Sequence, residues 1–367
     1  MRERPLSAIV LAAGQGTRMR SVRPKPLHRL CGRPLVRYVL DAVAGCRADR
    51  AVVVVGYGAD RVVKALQQEP GRVPLEFVEQ RVQRGTGDAV AVGLTGLPED
   101  LDSVDAEDGD VVVLPGDTPL IRPETLSALV VEHRLSGAAC TLLTARMEDP
   151  TGYGRVVRDK DGRVRRVVEH RDANAHELAI DEINTSIYVF RRGLLAPALR
   201  RLTPDNSQGE LYITDVVEVL ASAGHPVVSL VVEDADETQG VNDRAQLAVA
   251  EAELRRRTNL AWMEAGVTMV DPTVTYVDVT VTLAADVTLF PGTVLQGATV
   301  VGAGSEIGPG TRLTDTRVGE RATVTESVAT HADIGDDAVV GPFAVLEPGS
   351  RVAAGTLTGP FYTGASG

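Results

Sequence analysis

The end of the chain carries a side-chain rhythm that few folds can use. Leu289, Leu295, Val301, Ile307 and Leu313 recur every six residues, and after a one-residue slip the series resumes through Val318, Val324, Ile334, Val340, Leu346 and Val352. Gly, Ala, Pro, Ser, Thr and Asp fill the spaces between them. A period of six suits a chain coiled as a triangular prism: one aliphatic side chain per face points inward, and small residues fit at the corners. Antiparallel strands with period two would also accommodate any one of these residues. The unbroken run at the longer spacing favours the coil. The repeats stop at about Leu357, so a truncated coil is expected.

The front of the chain has a different texture. Short β-rich runs at Ala8–Leu11, Ala51–Val55, Leu75–Val78 and Val111–Leu114 are apolar on both faces, and amphipathic segments at Pro34–Val43, Asp60–Gln67 and Pro123–Leu135 lie between them. That alternation predicts an α/β, Rossmann-like domain whose sheet is covered by helices on both sides. Ligands in such sheets bind beyond the carboxyl ends of the strands. After Thr144 the pattern changes and a second lobe is expected to begin. Arg155–Glu169 reads as a hairpin around Asp161-Gly162, a dipeptide that supplies the positive φ angles of a tight turn. Arg244–Glu264 keeps a helical apolar period without proline or glycine, which predicts one helix joining the two halves. The expected domains are therefore 1–243, a linker helix at 244–264, and the coil at 265–367.

A length of 367 residues suggests two cores. The formal net charge of -12 leaves no basic stripe for a polyanion, so nucleic acid is not an expected partner. Cys31, Cys46 and Cys140 lack metal-ligand spacing and read as thiols in a reducing compartment. The apolar stretch near the N-terminus is broken early by glycines, which argues against a signal peptide or a membrane span. A cytoplasmic location is expected.

The strongest local motif is LAAGQGTRM, Leu11 to Met19, directly after the first strand and followed by RPKPL at Arg23 to Leu27. Glycines at 14 and 16 let backbone N–H groups approach phosphate oxygens, and Arg18 with Lys25 supplies cations that can neutralise a triphosphate. Taken alone, the motif also fits a glycine-rich turn with solvated Arg and Lys.

These residues are similar to the opening of sugar nucleotidylyltransferases. FVEQRVQRGTGDAV (77–90), LPGDTPL (114–120), DPTGYGRVV (149–157), VVEHRDA (167–173), EINTSIYVF (182–190), GELYITDVV (209–217) and QGVNDRAQL (239–247) follow in order. Together they resemble the uridylyltransferase half of the bifunctional N-acetylglucosamine-1-phosphate uridylyltransferase/glucosamine-1-phosphate acetyltransferase family. The resemblance covers residue 6 to about 350. It implies a nucleotidyltransferase domain with a mixed, mostly parallel sheet, followed by a left-handed parallel β-helix. It also implies UTP and N-acetylglucosamine 1-phosphate as substrates and Mg2+ as cofactor. Such β-helices often associate side by side as homotrimers, but the early end of the repeats removes part of that contact surface, so the resemblance leaves the oligomeric state open.

Carried over by position, the resemblance implies that Leu11, Ala12, Ala13, Gly14, Gln80, Gly85, Thr86 and Gly116 bind the nucleotide. A glutamine offers both donor and acceptor to an imide edge. Arg18 and Lys25 would be the catalytic cations. Asp117, at the end of the strand VVVLPGD, and Asn242 in GVND would hold the metal, a sparse oxygen shell of the kind Mg2+ accepts. Gly154, Glu169, Asn184 and Thr185 would receive the sugar. A phosphate monoester is already anionic, so Glu169 is not needed as a general base. Asp117 also fits a turn starter, and Asn242 a helix cap.

Two departures qualify the resemblance. Ser186 stands where the family more often has glycine, and a side chain there narrows the sugar pocket. Another sugar 1-phosphate or nucleotide is the alternative substrate. In GPFAVLEPG (341–349), Glu347 and Val345 occupy two basic positions of the family's acetyl-transfer site, and His331 lies in the wrong stretch to act as its base. Acetyltransferase activity is therefore expected to be absent. A non-catalytic nucleotide-sensing scaffold is the remaining reading. Arg18, Lys25, Asp117 and Asn242 argue against it, since a scaffold needs none of them to fold.

Overall fold

The computed structural model describes residues 4–69, 71–98 and 109–364. Its contacts divide the chain into two compact units: residues up to His28 together with Pro34–Gln246, and Arg29–Arg33 together with the residues from Leu247 onward.

The first unit is built on strands β1 (Leu6–Ala12), β2 (Arg50–Val55), β3 (Leu75–Glu79), β4 (Asp110–Pro115), β5 (Cys140–Arg146), β6 (Gly154–Arg158), β7 (Val164–Val168), β8 (Glu182–Arg191) and β9 (Val227–Val231). They form one sheet in the order β9-β5-β8-β4-β1-β2-β3, with β6 paired to β8 and β7 to β6. β1 runs parallel to both β2 and β4, and β8 runs antiparallel to β4 and β5, so the sheet is mixed and mostly parallel. Val52, Val53, Val54, Val111, Val112 and Val113 are fully buried because helices cover both faces. The covering helices are α1 (Leu35–Gly45), α2 (Ala59–Gln68), α3 (Thr86–Leu94), α4 (Pro123–Ser136), α5 (Ala175–Leu178), α6 (Arg192–Leu199) and α7 (Asp215–Ser222). Each face of the sheet has its own apolar core.

Two local expectations change. The segment after Thr144 is not a separate lobe, because β5, β8 and β9 belong to the same sheet and the β6–β7 hairpin extends from β8. Within that hairpin only Gly162 takes a positive φ, of 78°. Asp159 carries the rest of the turn, its carboxylate accepting from the backbone N–H groups of Asp161 and Arg163, both at 2.9 Å. Such a side-chain-supported turn needs one left-handed residue, not two.

Helix α8 (Arg244–Glu264) begins in the first unit and continues into the second. In the second unit the buried Asn259 donates from Nδ2 to the carbonyls of Pro272 and Thr275, both at 2.9 Å, and fixes the helix to the first turn of the coil. Trp262 and Met263 pack on the coil's core. The coil is a left-handed parallel β-helix of short strands stacked in three sheets. Val294–Gln296, for example, lies directly beneath Arg312–Thr314, one turn of three sixes later. All eleven aliphatic residues of the repeat are buried, and each is worth about 1.5–3 kcal/mol relative to exposure. Ala329 fills the inward place between Val324 and Ile334. Its small side chain hid it from an aliphatic count, and the spacing there shortens to five. Buried hydroxyls seal the corners: Thr293 donates to Ile307 O at 3.0 Å, Thr311 to Val324 O at 3.0 Å and Ser305 to Gly319 O at 2.8 Å.

Candidate active site

The ends of β1, β3 and β4, where the parallel strands leave the sheet, open into a cleft of about 650 Å3. Leu11, Ala12, Ala13, Gly14, Arg18, Lys25, Gln80, Gly85, Thr86, Gly116, Asp117, Asn184, Thr185 and Asn242 all line it. Gly154 and Glu169 do not, although their neighbours Gly152 and Tyr153 do. A second hollow, of about 790 Å3, lies at the opposite ends of the strands and is lined by Arg4, Arg47, Arg50 and Arg134 among others. None of the sequence motifs meets there.

The glycine turn does two jobs. Gly14 has open space where a Cβ would stand, so its backbone faces the cleft. Gly16 has a different role from the expected one. It sits at φ 61°, and a Cβ on it would come within 2.7 Å of the Lys25 Cβ. The missing side chain lets the lysine stem cross the turn. Lys25 begins a short 3-10 turn, Lys25–Leu27, which aims its ammonium into the cleft.

That ammonium contacts Asp117 Oδ2 and donates to Asn242 Oδ1 at 2.8 Å. Arg18 Nη2 donates to the same Asn242 oxygen at 3.0 Å. Residues 225 positions apart are also tied through the backbone, since Arg244 Nε donates to Met19 O at 3.2 Å. Val241 N–H donates to Asp117 O at 2.8 Å, so the two oxygen-bearing segments are held side by side. A Cβ on Gly240 would stand 3.6 Å from Asp117 Oδ1 and 3.8 Å from Asn242 Nδ2. The carboxylate and the amide therefore already face one cation. Both are hard oxygen donors, the set that suits an Mg2+-like ion sharing its remaining positions with phosphate and water. No group of three or more His, Cys, Asp or Glu able to hold a metal occurs among the described residues.

On the base side, Gln80 follows β3 and is buried to 6% exposure. Its Nε2 donates to Gly85 O at 3.2 Å and to Asp88 Oδ2 at 2.8 Å. Gly85, at φ 112°, allows the Leu211 carbonyl to approach to 2.5 Å from where a Cβ would be. Thr86 Oγ1 accepts from Ile213 N–H at 3.0 Å, so GELYITDVV braces the RGTG turn. Gln83, which the motif reading passed over, donates to Ala13 O at 2.7 Å and locks the glycine turn from the other side.

On the far side, β8 has a register shift between Asn184 and Ile187, and Ser186 sits there at φ 62°. A left-handed position is why glycine suits this place; here a serine side chain lines the cleft instead. Asn184 Nδ2 donates to Tyr188 OH at 2.7 Å, while its Oδ1 is buried with no partner among the described residues. Thr185 gives its proton to Leu143 O at 2.7 Å, so its hydroxyl holds the bulge. Glu169 lies behind Gly154, whose Cβ position is 3.5 Å from Glu169 Oε2, and accepts from Thr214 Oγ1 at 3.2 Å. Burial pushes its carboxyl above the usual range, despite the Thr214 bond. Nearby Asp215 is raised to about 6, first by burial and then by Glu218 and Asp172.

Backbone amides at a parallel-sheet edge, two cations and an acid–amide pair define a cleft for transferring a nucleotide. The family described as Nucleotidyl transferase matches residues 7–268. The curated "Bifunctional protein GlmU" of Micrococcus luteus is 46% identical over 98% of this chain and 73% of its own length. Those of Streptomyces coelicolor and Heliobacterium modesticaldum are 48% identical (98% of this chain, 73% of theirs) and 42% identical (97% and 75%). The chain belongs to the nucleotidyl transferase family, in the branch of the bifunctional GlmU proteins. Enzymes of this family generally depend on a divalent metal and act on a nucleoside triphosphate and a sugar phosphate.

Proposed function

We propose that the cleft joins UTP to N-acetylglucosamine 1-phosphate and releases pyrophosphate, the reaction of a UDP-N-acetylglucosamine diphosphorylase. The observation that carries this reading is the convergence of Lys25 on Asp117 and Asn242, with Arg18 on the same amide oxygen. Uracil would sit against Gln80, Gly85 and the Leu11–Gly14 backbone, and the triphosphate would lie across Gly14, Gly116, Arg18 and Lys25. The sugar would lie towards Asn184, whose orphaned Oδ1 is an acceptor for an acetamido N–H. Leaving it unpaired costs about 1–3 kcal/mol.

The sugar phosphate oxygen attacks the α-phosphorus in line, and the bond to pyrophosphate breaks. No proton has to be removed from the anionic nucleophile, so Arg18 and Lys25 act by holding the triphosphate and offsetting charge on the leaving group. Asp117 and Asn242 would hold Mg2+, which when bound supplies Lewis-acid neutralisation of phosphate oxygens. Glu169, behind Gly154, shapes the sugar side from the second row.

The division of labour we propose assigns this chemistry to residues 1–243, with 244–264 as the joining helix and 265–367 as an assembly module. In that module Glu347 and Val345 are exposed and supply no cation, and His331 stands at a coil corner 3.6 Å from Asp315. Acetyl transfer is therefore not assigned to this stretch. No helix among the described residues is long and apolar enough to cross a membrane; a cytoplasmic location is part of the proposal and rests on the nucleoside triphosphate it assigns as substrate.

A panel of sugar 1-phosphates and nucleoside triphosphates, read as pyrophosphate release with and without Mg2+, tests the reading. Release is expected only with UTP, N-acetylglucosamine 1-phosphate and the metal together, and Asp117→Asn should abolish it. Full activity in Asp117→Asn, or equal turnover with glucose 1-phosphate, would overturn the metal or the acceptor assignment respectively.

A further inference from the structure

An amide side chain can present either its oxygen or its nitrogen to a ligand, and what lies behind it decides which. Behind Gln80 stand two groups that only accept: the Gly85 carbonyl, 3.2 Å from Nε2, and the Asp88 carboxylate, 2.8 Å from it. Turning the amide over would set Oε1 against both oxygens and break both hydrogen bonds. We infer that Asp88 is a positioning residue for base selection: it locks Gln80 so that the cleft shows a hydrogen-bond acceptor to a pyrimidine, and so favours a base with a proton on N3. This inference rests on the uracil pocket proposed above.

The chemistry follows from the edge presented. Uracil carries N3–H between two carbonyls, and that proton meets Gln80 Oε1. Cytosine has a lone pair at N3, so the same oxygen faces another acceptor. Without Asp88 only the longer contact to the Gly85 carbonyl opposes the turned amide, which can then donate to cytosine N3, and the distinction narrows. Asp88 also lies in the first turn of α3, where a carboxylate favours the helix N-terminus. A merely helix-stabilising role would affect turnover of both nucleotides alike.

The experiment is the ratio of kcat/KM for UTP to that for CTP, each with N-acetylglucosamine 1-phosphate, in wild type, Asp88→Asn, Asp88→Glu and Gln80→Ala. Asparagine can donate as well as accept, so Asp88→Asn removes the shorter of the two contacts that fix Gln80 and leaves only the Gly85 carbonyl, and the ratio should fall about tenfold. Asp88→Glu keeps an acceptor and should retain most of the preference. If Gln80→Ala lowers the ratio while Asp88→Asn keeps the wild-type value, the lock is overturned and the base pocket stands. If Gln80→Ala also leaves the ratio unchanged, the base is read elsewhere and both assignments fall.

Discussion

The sheet unit and the β-helix use the same kinds of apolar residue for opposite ends. In the coil every sixth position goes inward, and its partner is the residue one turn above, so the repeat in the chain is the repeat in space. In the sheet unit the buried runs only build a platform. The cleft opens where those runs stop, lined by Gly14 after β1, Gln80 after β3 and Asp117 after β4, and the proposed chemistry is assigned there. Regular packing tells where the chain is rigid, and its interruptions tell where it can react.

If the comparison holds, damage should separate cleanly between the units. Lys25→Ala should lower the rate of pyrophosphate release about 10²–10³-fold, the range for removing one charge-stabilising donor, with no loss of melting temperature. A collapse of the fold instead would make Lys25 a structural residue. Ile307, buried at 0% exposure in the coil, should behave in the reverse way. Ile307→Ala should weaken the second unit by about 2–5 kcal/mol, seen as faster hydrogen exchange at the Phe290 and Gly308 amides, which donate to the carbonyls of Ile307 and Val324, while kcat stays at the wild-type value. A matching loss of kcat would show that the coil supports the reaction itself.

The same contrast explains what was legible in the sequence. The coil could be read almost residue by residue, and only Ala329 escaped because a methyl group is a faint hydrophobic signal. The parallel strands β1 to β4 and helices α1, α2 and α4 were visible from apolar runs and amphipathic spacing, within a residue or two at their ends. The contacts that shape the cleft were not visible. Gly16 makes room for Lys25 and Gly85 for Leu211; the first pair sits in one irregular turn and the second is far apart in the chain, so no periodic pattern marks either. Ser186 drew notice as a departure from glycine, yet its left-handed φ depends on the bulge in β8, which only the sheet register reveals.

A smaller effect sharpens the picture on the sugar side. The carboxyl of Asp215, raised to about 6 mainly by burial, favours the folded state when protonated. That contribution is present below the ordinary carboxylate range and is lost as pH rises through about 6. Asp215→Asn should therefore match wild type at pH 4 and exceed it by about 1 kcal/mol at pH 8, a figure reduced because the group is only half-buried. Denaturant melts at the two pH values check this. A gain of equal size at both would trace it to something other than the charge.

The proposed grip of Asp117 and Asn242 on one ion is tested most directly by titrating Mn2+ into the protein with UTP present and following the free ion by electron paramagnetic resonance. The wild type should bind one ion per chain, with Asp117→Ala and Asn242→Ala each weakening it at least tenfold. Unchanged affinity in both variants would contradict the account.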